Sequence, residues 1–301
     1  MRSIVVGVEN TAAAERALDR ALLEARRTGR PVRVVRAWQT PVWVGAAMGQ
    51  TYDYDVFAAQ VSSAEAARME TEDLVEKARA RLPEGPPVEI RITVAEGSAG
   101  HALVTAAEGE ALLVVGSHSR AGRGGALFGS TTAHVLHHTE TPVMVVPHEG
   151  PPAGSFHTVV VGLDGSEASR SALRWAYQAA RDNQCSLMLV HAWEIANVPG
   201  DEHVFFDSDI TGFEATLRAW LLDEAHEVLD VDDVQVIALH GSPSRMLVST
   251  VGPDDLLVVG SRGEGGFAGL HLGSVSTQCA RHATGVVTVV RAGEERLADV
   301  R

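Results

Sequence analysis

Short runs of Val, Ile and Leu alternate along the chain with longer stretches in which apolar residues recur every three or four positions. The short runs suit strands and the longer stretches suit amphipathic helices. In the C-terminal half the pattern predicts strands near 157–163, 185–192, 233–239, 254–260 and 285–291, with helices between them. The first of these helices opens at Ser166, a residue type that caps helix N-termini, and continues with Ala172, Leu173, Ala176, Ala179 and Ala180 at helical spacing. The third opens at Ser242, with Pro243 at the first helical position, where a missing N–H costs nothing. The strands are nearly continuous apolar runs, so the sheet is expected to be buried on both faces. Strands and helices in alternation predict an α/β fold with a doubly wound parallel sheet.

The same unit is written twice. Ile4-Val5-Val6-Gly7-Val8-Glu9-Asn10-Thr11 returns as Val159-Val160-Val161-Gly162-Leu163-Asp164-Gly165-Ser166, and Ala37-Trp38 returns as Ala192-Trp193, at an offset of 155. Farther on, Gly97-Ser98, Gly116-Ser117 and Gly129-Ser130 return as Gly241-Ser242, Gly260-Ser261 and Gly273-Ser274, at an offset of 144. The second copy is therefore shorter by 11 residues, lost between Trp38 and Gly97. Two α/β domains are expected, 1–148 and 156–292, joined by a Pro- and Gly-rich linker at 149–155 and followed by a tail at 293–301.

Composition narrows the functional classes. With 45% hydrophobic and 21% charged residues, the 301-residue chain reads as globular, and its formal charge of −14 with no basic stripe argues against nucleic acid or anionic membrane as partners. No apolar run reaches the length of a membrane helix, and the N-terminus leads directly into a strand without the apolar core of a signal peptide, so a cytoplasmic protein is expected. Cys185 and Cys279 sit in apolar stretches outside any metal or redox pattern and are expected to be reduced and buried. His134, His137 and His138 share helical spacing, but no carboxylate or cysteine cluster completes a metal site; a solvated helix face is the expectation. No nucleophile-and-base arrangement stands out, so no catalytic residue is assigned.

The second copy carries the clearest chemistry. After the strand Leu256-Leu257-Val258-Val259 come Gly260-Ser261-Arg262-Gly263-Glu264-Gly265-Gly266 and, after five more residues, Leu272-Gly273-Ser274-Val275-Ser276. Glycines let the main chain approach a ligand, and a helix opening at Gly273 offers free N–H groups and its dipole to an anion, with Ser274 and Ser276 as hydroxyl donors. The loop is neither a Walker A sequence nor a dinucleotide fingerprint.

The spacing Gly260-x2-Gly263-x9-Gly273-Ser274, together with Val161-Gly162-Leu163-Asp164-Gly165-Ser166, resembles the universal stress protein family in its tandem form, over nearly the whole chain. The resemblance implies a five-stranded sheet of order 3-2-1-4-5 in each copy, with ATP in the crevice between strands one and four. It places Asp164 near ribose, phosphates or a magnesium ion, and the backbone at Ala192 near adenine. Gly260, Gly263, Gly273, Ser274 and Val275 would hold ribose and phosphates, with Gly162 in the crevice and Arg262 adding charge. By position, Gly7, Glu9, Ala37, Gly116, His118, Gly129, Ser130 and Thr131 are the matching residues of the first copy. Dimerisation by the last strand is another family implication, so the copies are expected to pair as a pseudo-dimer through 143–146 and 286–290, with homo-oligomers and unidentified protein partners beyond it.

The first copy departs from this pattern. Ser119 stands at the place of Gly263; if that position needs positive φ, serine costs about 1 kcal/mol. Glu9-Asn10-Thr11 replaces Asp-Gly-Ser, and Arg120 stands opposite Glu264, whose carboxylate lowers phosphate affinity if it faces inward. The second copy is thus the expected principal nucleotide site. Aromatic residues in the longer first copy, Trp43, Tyr52, Tyr54 and Phe57 with Met48, read as a packed loop, a lid or a partner surface; Phe213, Leu217, Trp220, Leu221 and Val228 read as core. The functional expectation is a regulatory binder of ATP, with or without magnesium. A slow ATPase or nucleotidyl-transfer enzyme and a nucleotide-free interaction module are the alternatives.

Overall fold

The computed structural model describes residues 1–39, 54–117, 129–194, 207–229, 234–263 and 272–293, with the side chains of 54–62 and 207–211 excepted. The chain divides into two compact units, Met1–Gly154 and Ser155–Arg301. In the first, β1 (Ile4–Gly7), α1 (Ala12–Thr28), β2 (Val32–Trp38), α2 (Tyr54–Arg81), β3 (Ile90–Glu96), α3 (Ala99–Ala107), β4 (Leu112–Gly116), α4 (Ser130–His138) and β5 (Val143–Val146) follow in order. In the second come β6 (Thr158–Gly162), α5 (Glu167–Asn183), β7 (Ser186–Trp193), α6 (Asp207–Leu229), β8 (Gln235–His240), α7 (Pro243–Thr250), β9 (Leu256–Gly260), α8 (Ser274–His282) and β10 (Val286–Val290). The predicted strands of the second copy differ from these by no more than two residues at any end.

Each unit is a doubly wound α/β domain. All strand pairs within it are parallel, in the order β3-β2-β1-β4-β5 and its repeat β8-β7-β6-β9-β10, the 3-2-1-4-5 arrangement. The register repeats as well: Arg33 faces Arg91 on β2 and β3, and Met188 faces Gln235 on β7 and β8, the offsets read from sequence. The central strands β1, β4, β6 and β9 are buried as expected. The strands β3 and β8, at one end of each sheet, are not: their residues are half-buried or exposed, apart from Ala238.

Local chemistry sets the helix ends. Thr11 caps α1 by accepting from Ala14 N–H, and Ser166 caps α5 by accepting from Ser169 N–H. Both helices stop at a left-handed residue, Gly29 at φ 66° and Gln184 at φ 54°. Pro243 sits at the start of α7. The turns before α3 and α7 also repeat: Gly97 and Gly241 have φ of 109° and 137°, and each N–H donates to a tryptophan carbonyl, of Trp38 and Trp193, at 2.8 Å.

Several expectations are revised. The stretch after β5 is not free linker over its whole length, because Arg16 of α1 donates to the carbonyls of Pro147, Gly150 and Pro151 at 2.8–3.0 Å and Arg20 to that of Gly154 at 2.8 Å. On α6, Leu221 is buried, but Leu217, Trp220 and Val228 are half-buried and Phe213 is 46% exposed, so the stripe is only partly core. Cys279 is buried and Cys185 half-buried, and neither is in a disulfide among the described residues. Among the described residues no helix is long and apolar enough to cross a membrane. Trp43, Met48 and Tyr52, and the side chains of Tyr54 and Phe57, lie outside the described part.

Candidate functional site

Strand order reverses at β1 and β4, and at β6 and β9, so chains leaving these neighbours turn to opposite sides and open a crevice at the C-terminal edge of each sheet. The glycines that end these strands have a packing reason. A Cβ on Gly116 would stand 2.9 Å from the backbone of Ala13, and one on Gly260 would stand 2.8 Å from that of Ala168, so the first turn of α1 or α5 lies directly on the end of strand four. Likewise Leu103 fills the space beside Gly7, and Leu247 that beside Gly162. These four glycines bring helices and strands close enough to leave main chain at the crevice wall.

In the second copy, Asp164, Ser166, Arg262 and Gly263 come together. Gly165, at φ 86°, turns the chain so that Asp164 Oδ1 accepts from Ser166 N–H at 3.1 Å and from the Ser166 hydroxyl at 2.7 Å. That hydroxyl is also 3.2 Å from the Arg262 carbonyl, which ties the first turn to the strand-four loop. Gly263 lies outside the left-handed region of φ, so the expected conformational demand for glycine does not hold. Space explains it instead, because a Cβ there would fall on Asp164 Oδ2.

The strand-four loop is pinned at its mouth. Ser261 N–H donates to the Val290 carbonyl and Gly273 N–H to the Ser261 carbonyl, both at 2.7 Å. The Ser276 hydroxyl, expected to face a ligand, is buried and lies 3.0 and 3.1 Å from the carbonyls of Gly273 and Ser261, so it closes the loop from inside. Ser274 is exposed and Val275 half-buried at the opening of α8, where no side chain caps the helix among the described residues. The first N–H groups and the dipole there are the anion-attracting feature of the site. The residues 264–271, Glu264 among them, lie outside the described part.

Ala192 lies on β7 opposite Leu239, and its neighbours His191 and Trp193 project from the other face of the sheet, against α6. His191 Nδ1 donates to the Leu163 carbonyl at 2.7 Å, and its ring meets Trp220 edge-on at 5.1 Å. Trp193 packs on Phe213 and His240 with ring centroids 4.7 and 4.4 Å away. The helical stripe of Phe213 and Trp220 was the sequence signal of this packing.

In the first copy, Gly7, Glu9, Ala37, Gly116, Gly129 and Thr131 line one cleft, with Val8, Ala14, Val35, Ala99, Leu103, Val115 and Thr132 completing its walls. Ser130 lies outside this lining, and His118, Ser119 and Arg120 outside the described residues. The Glu9 carboxylate accepts from the Thr11 hydroxyl at 3.3 Å, and Thr132 donates inward to the Gly116 carbonyl at 2.7 Å. The loop mouth is looser than in the second copy, with Gly129 N–H to the Ser117 carbonyl at 3.4 Å. Neither copy assembles a metal site from histidine, cysteine or carboxylates among the described residues.

The sequence model of the Universal stress protein family matches residues 1–147 and again 155–291. A universal stress protein of Mycolicibacterium smegmatis is 30% identical over 96% of this chain and 96% of its own length. One from Mycobacterium tuberculosis is 28% identical over 96% of this chain and 94% of its own. Among solved structures, a universal stress protein from Archaeoglobus fulgidus superposes over 97% of this chain and 98% of its own with a TM-score of 0.63, at 19% identity.

Proposed function

The chain belongs to the universal stress protein family, and from that premise we propose that it is a cytoplasmic regulatory protein that binds ATP, with its principal site in the second copy. The observation that carries this reading is the convergence of Asp164, Ser166, Arg262 and Gly263 beside a loop whose mouth is pinned at Gly273, facing the open N-terminus of α8. Triphosphate oxygens would meet the α8 N–H groups, with Ser274 and Arg262 at the rim, and the base would lie along the β7 main chain at Ala192. Asp164 is a hard oxygen donor, and one carboxylate together with ligand phosphates suits magnesium. The first copy's cleft offers a second, weaker site, because its loop mouth closes less tightly and its carboxylate stands on the longer glutamate arm. Through the Ser166 link, an occupied loop would be felt at α5, a route from nucleotide state to partner contacts. Pairing of the two copies through β5 and β10 completes the proposal, and small-angle scattering that shows two domains tumbling separately would remove it.

Mass spectrometry of ligand that co-purifies with the chain, followed by calorimetry with ATP and magnesium, tests the reading. The expected result is one tight and one weak site. Gly273→Glu places bulk and negative charge against the phosphates and should weaken the tight site by at least about tenfold, while Gly129→Glu leaves it intact. Two sites of equal affinity, or loss of tight binding only in Gly129→Glu, would reject the assignment to the second copy, and no nucleotide binding at all would reject the function.

A further inference from the structure

We infer that the first copy carries a second kind of ligand site, for a small organic anion bearing a phosphate or carboxylate group, at the N-terminal edge of its sheet. All five strands run parallel, so this edge is the opposite end of the domain from the crevice. There α1 ends and the chain enters β2 and β3, around a pocket of about 420 Å³ that includes Arg26, Arg30 and Arg91 in its lining. That volume suits a small ligand, typically some 300–1,000 Å³.

Charge in this pocket is unbalanced. Among the described residues its one carboxylate is Glu89, which Arg91 holds at 2.7 Å. Arg26 and Arg30 form no ion pair among the described residues; they donate to the carbonyls of Pro83 and Arg2. The Arg26 Nε is buried with no hydrogen-bond partner among the described residues. Two guanidinium charges therefore stand uncompensated in a chain of formal charge −14. Pro31 and Pro87 supply an apolar surface beside them.

The duplicate copy separates what the fold requires from what it does not. Gly29 and Gln184 are the same left-handed cap, and Arg33–Arg91 and Met188–Gln235 are the same rung of the sheet. By these equivalences Arg26 corresponds to Arg181, a basic residue at a helix C-terminus where the dipole favours it. Arg30 corresponds to Cys185 and Arg91 to Gln235. The same fold thus forms without the last two arginines. Adding Arg30 beside Arg26 costs self-repulsion unless an anion neutralises the two, and the planar guanidinium fork matches carboxylate and phosphate oxygens alike. The organic body would rest on the proline rings.

Calorimetry of the full chain with phenyl phosphate and, separately, phthalate tests this inference and tells the two anion types apart. At least one should bind saturably, at least about tenfold more weakly in Arg30→Gln and in Arg91→Gln, as the loss of a charge-assisted contact implies. Neither substitution should lower the melting temperature of the ligand-free chain, which shows that the domain still folds. Gly129→Glu, at the opposite edge, should leave the affinity unchanged. No saturable binding of either probe, binding that survives both arginine substitutions, or binding abolished by Gly129→Glu would overturn the site.

Discussion

Where the first helix of each copy begins, the two halves of the molecule turn by different means. The second copy passes Asp164-Gly165-Ser166 through a left-handed glycine at φ 86°, and the Ser166 hydroxyl meets the Arg262 carbonyl of the strand-four loop. The first copy passes Glu9-Asn10-Thr11 with no residue in that region of φ. Its Asn10 instead accepts from Arg36 of β2 at 2.9 Å and donates to Glu70 of α2 at 2.8 Å, and Arg36 and Glu70 pair at 2.5 Å. One turn is wired to the strand-four loop and the other to its neighbouring helix. A duplicated fold can therefore keep its topology and exchange the connections that make a site responsive.

The same comparison appears, with larger energetic consequence, where the first two helices of each copy are clamped together. Arg170 grips Glu224 with two hydrogen bonds of 3.0 and 2.8 Å, and Arg81 grips Asp19 through both carboxylate oxygens with bonds of 2.8, 3.0 and 3.3 Å. Geometry is matched but burial is not: the Glu224 side chain is 6% exposed and that of Asp19 24%. Arg170→Ala should strand a buried carboxylate and cost the second copy about 2–3 kcal/mol. Arg81→Ala should cost the first copy less than about 1 kcal/mol. Hydrogen exchange read separately for each copy measures both, and equal losses would show that burial does not set the difference.

A smaller effect is expected at the loop. In Gly263→Ser, the new Cβ should push the Asp164 carboxylate away from Ser166, which loosens the turn and weakens ATP binding at the second copy by roughly fivefold, about 1 kcal/mol. The converse Ser119→Gly should change the first copy less, because the Glu9 carboxylate already stands on Thr11 by a longer arm. Calorimetry on the two variants distinguishes the causes. If Ser119→Gly raises the first copy to parity, glycine's conformational freedom, and not the space beside the carboxylate, decides affinity.

How far sequence could reach follows from the range of each signal. Strand and helix positions were legible because apolar periodicity is local, and the two repeat offsets told which residues of the two copies are equivalent. The packing of Gly116 on Ala13 and of Gly260 on Ala168 was not, since each joins residues about a hundred positions apart and glycine beside a loop also suggests a ligand. Ser276 was misread for a similar reason: a hydroxyl in the first turn of a helix faces either the ligand or the loop beneath it, and only the fold chooses. The grip of Arg16 and Arg20 on the segment after β5 left no trace in a composition that reads as linker.

The smallest predicted difference between the copies is a response to acid. In the first, His134 packs against Gly100 of α3, where a Cβ would stand 2.7 Å from its ring, and it stacks on His138 with ring centroids 4.1 Å apart. Burial, then His138, then His101 of α3 lower the His134 pKa below its ordinary value. In the second copy Gln278 occupies the equivalent place. A histidine in the unfolded chain takes up its proton near pH 6.5. Between that pH and the lower pKa of the folded state, the unfolded chain binds a proton that the folded chain refuses, so stability falls as pH falls through this window. Below the folded pKa the loss stops growing, and above about pH 7 it is absent. His134→Gln, which installs the second copy's residue, should flatten the dependence of the first copy between about pH 5 and pH 7 and leave the second copy unchanged. Hydrogen exchange followed across that range would show it, and an unaltered slope in the variant would mean that the packing of His134 on Gly100 does not govern the acid response of the first copy.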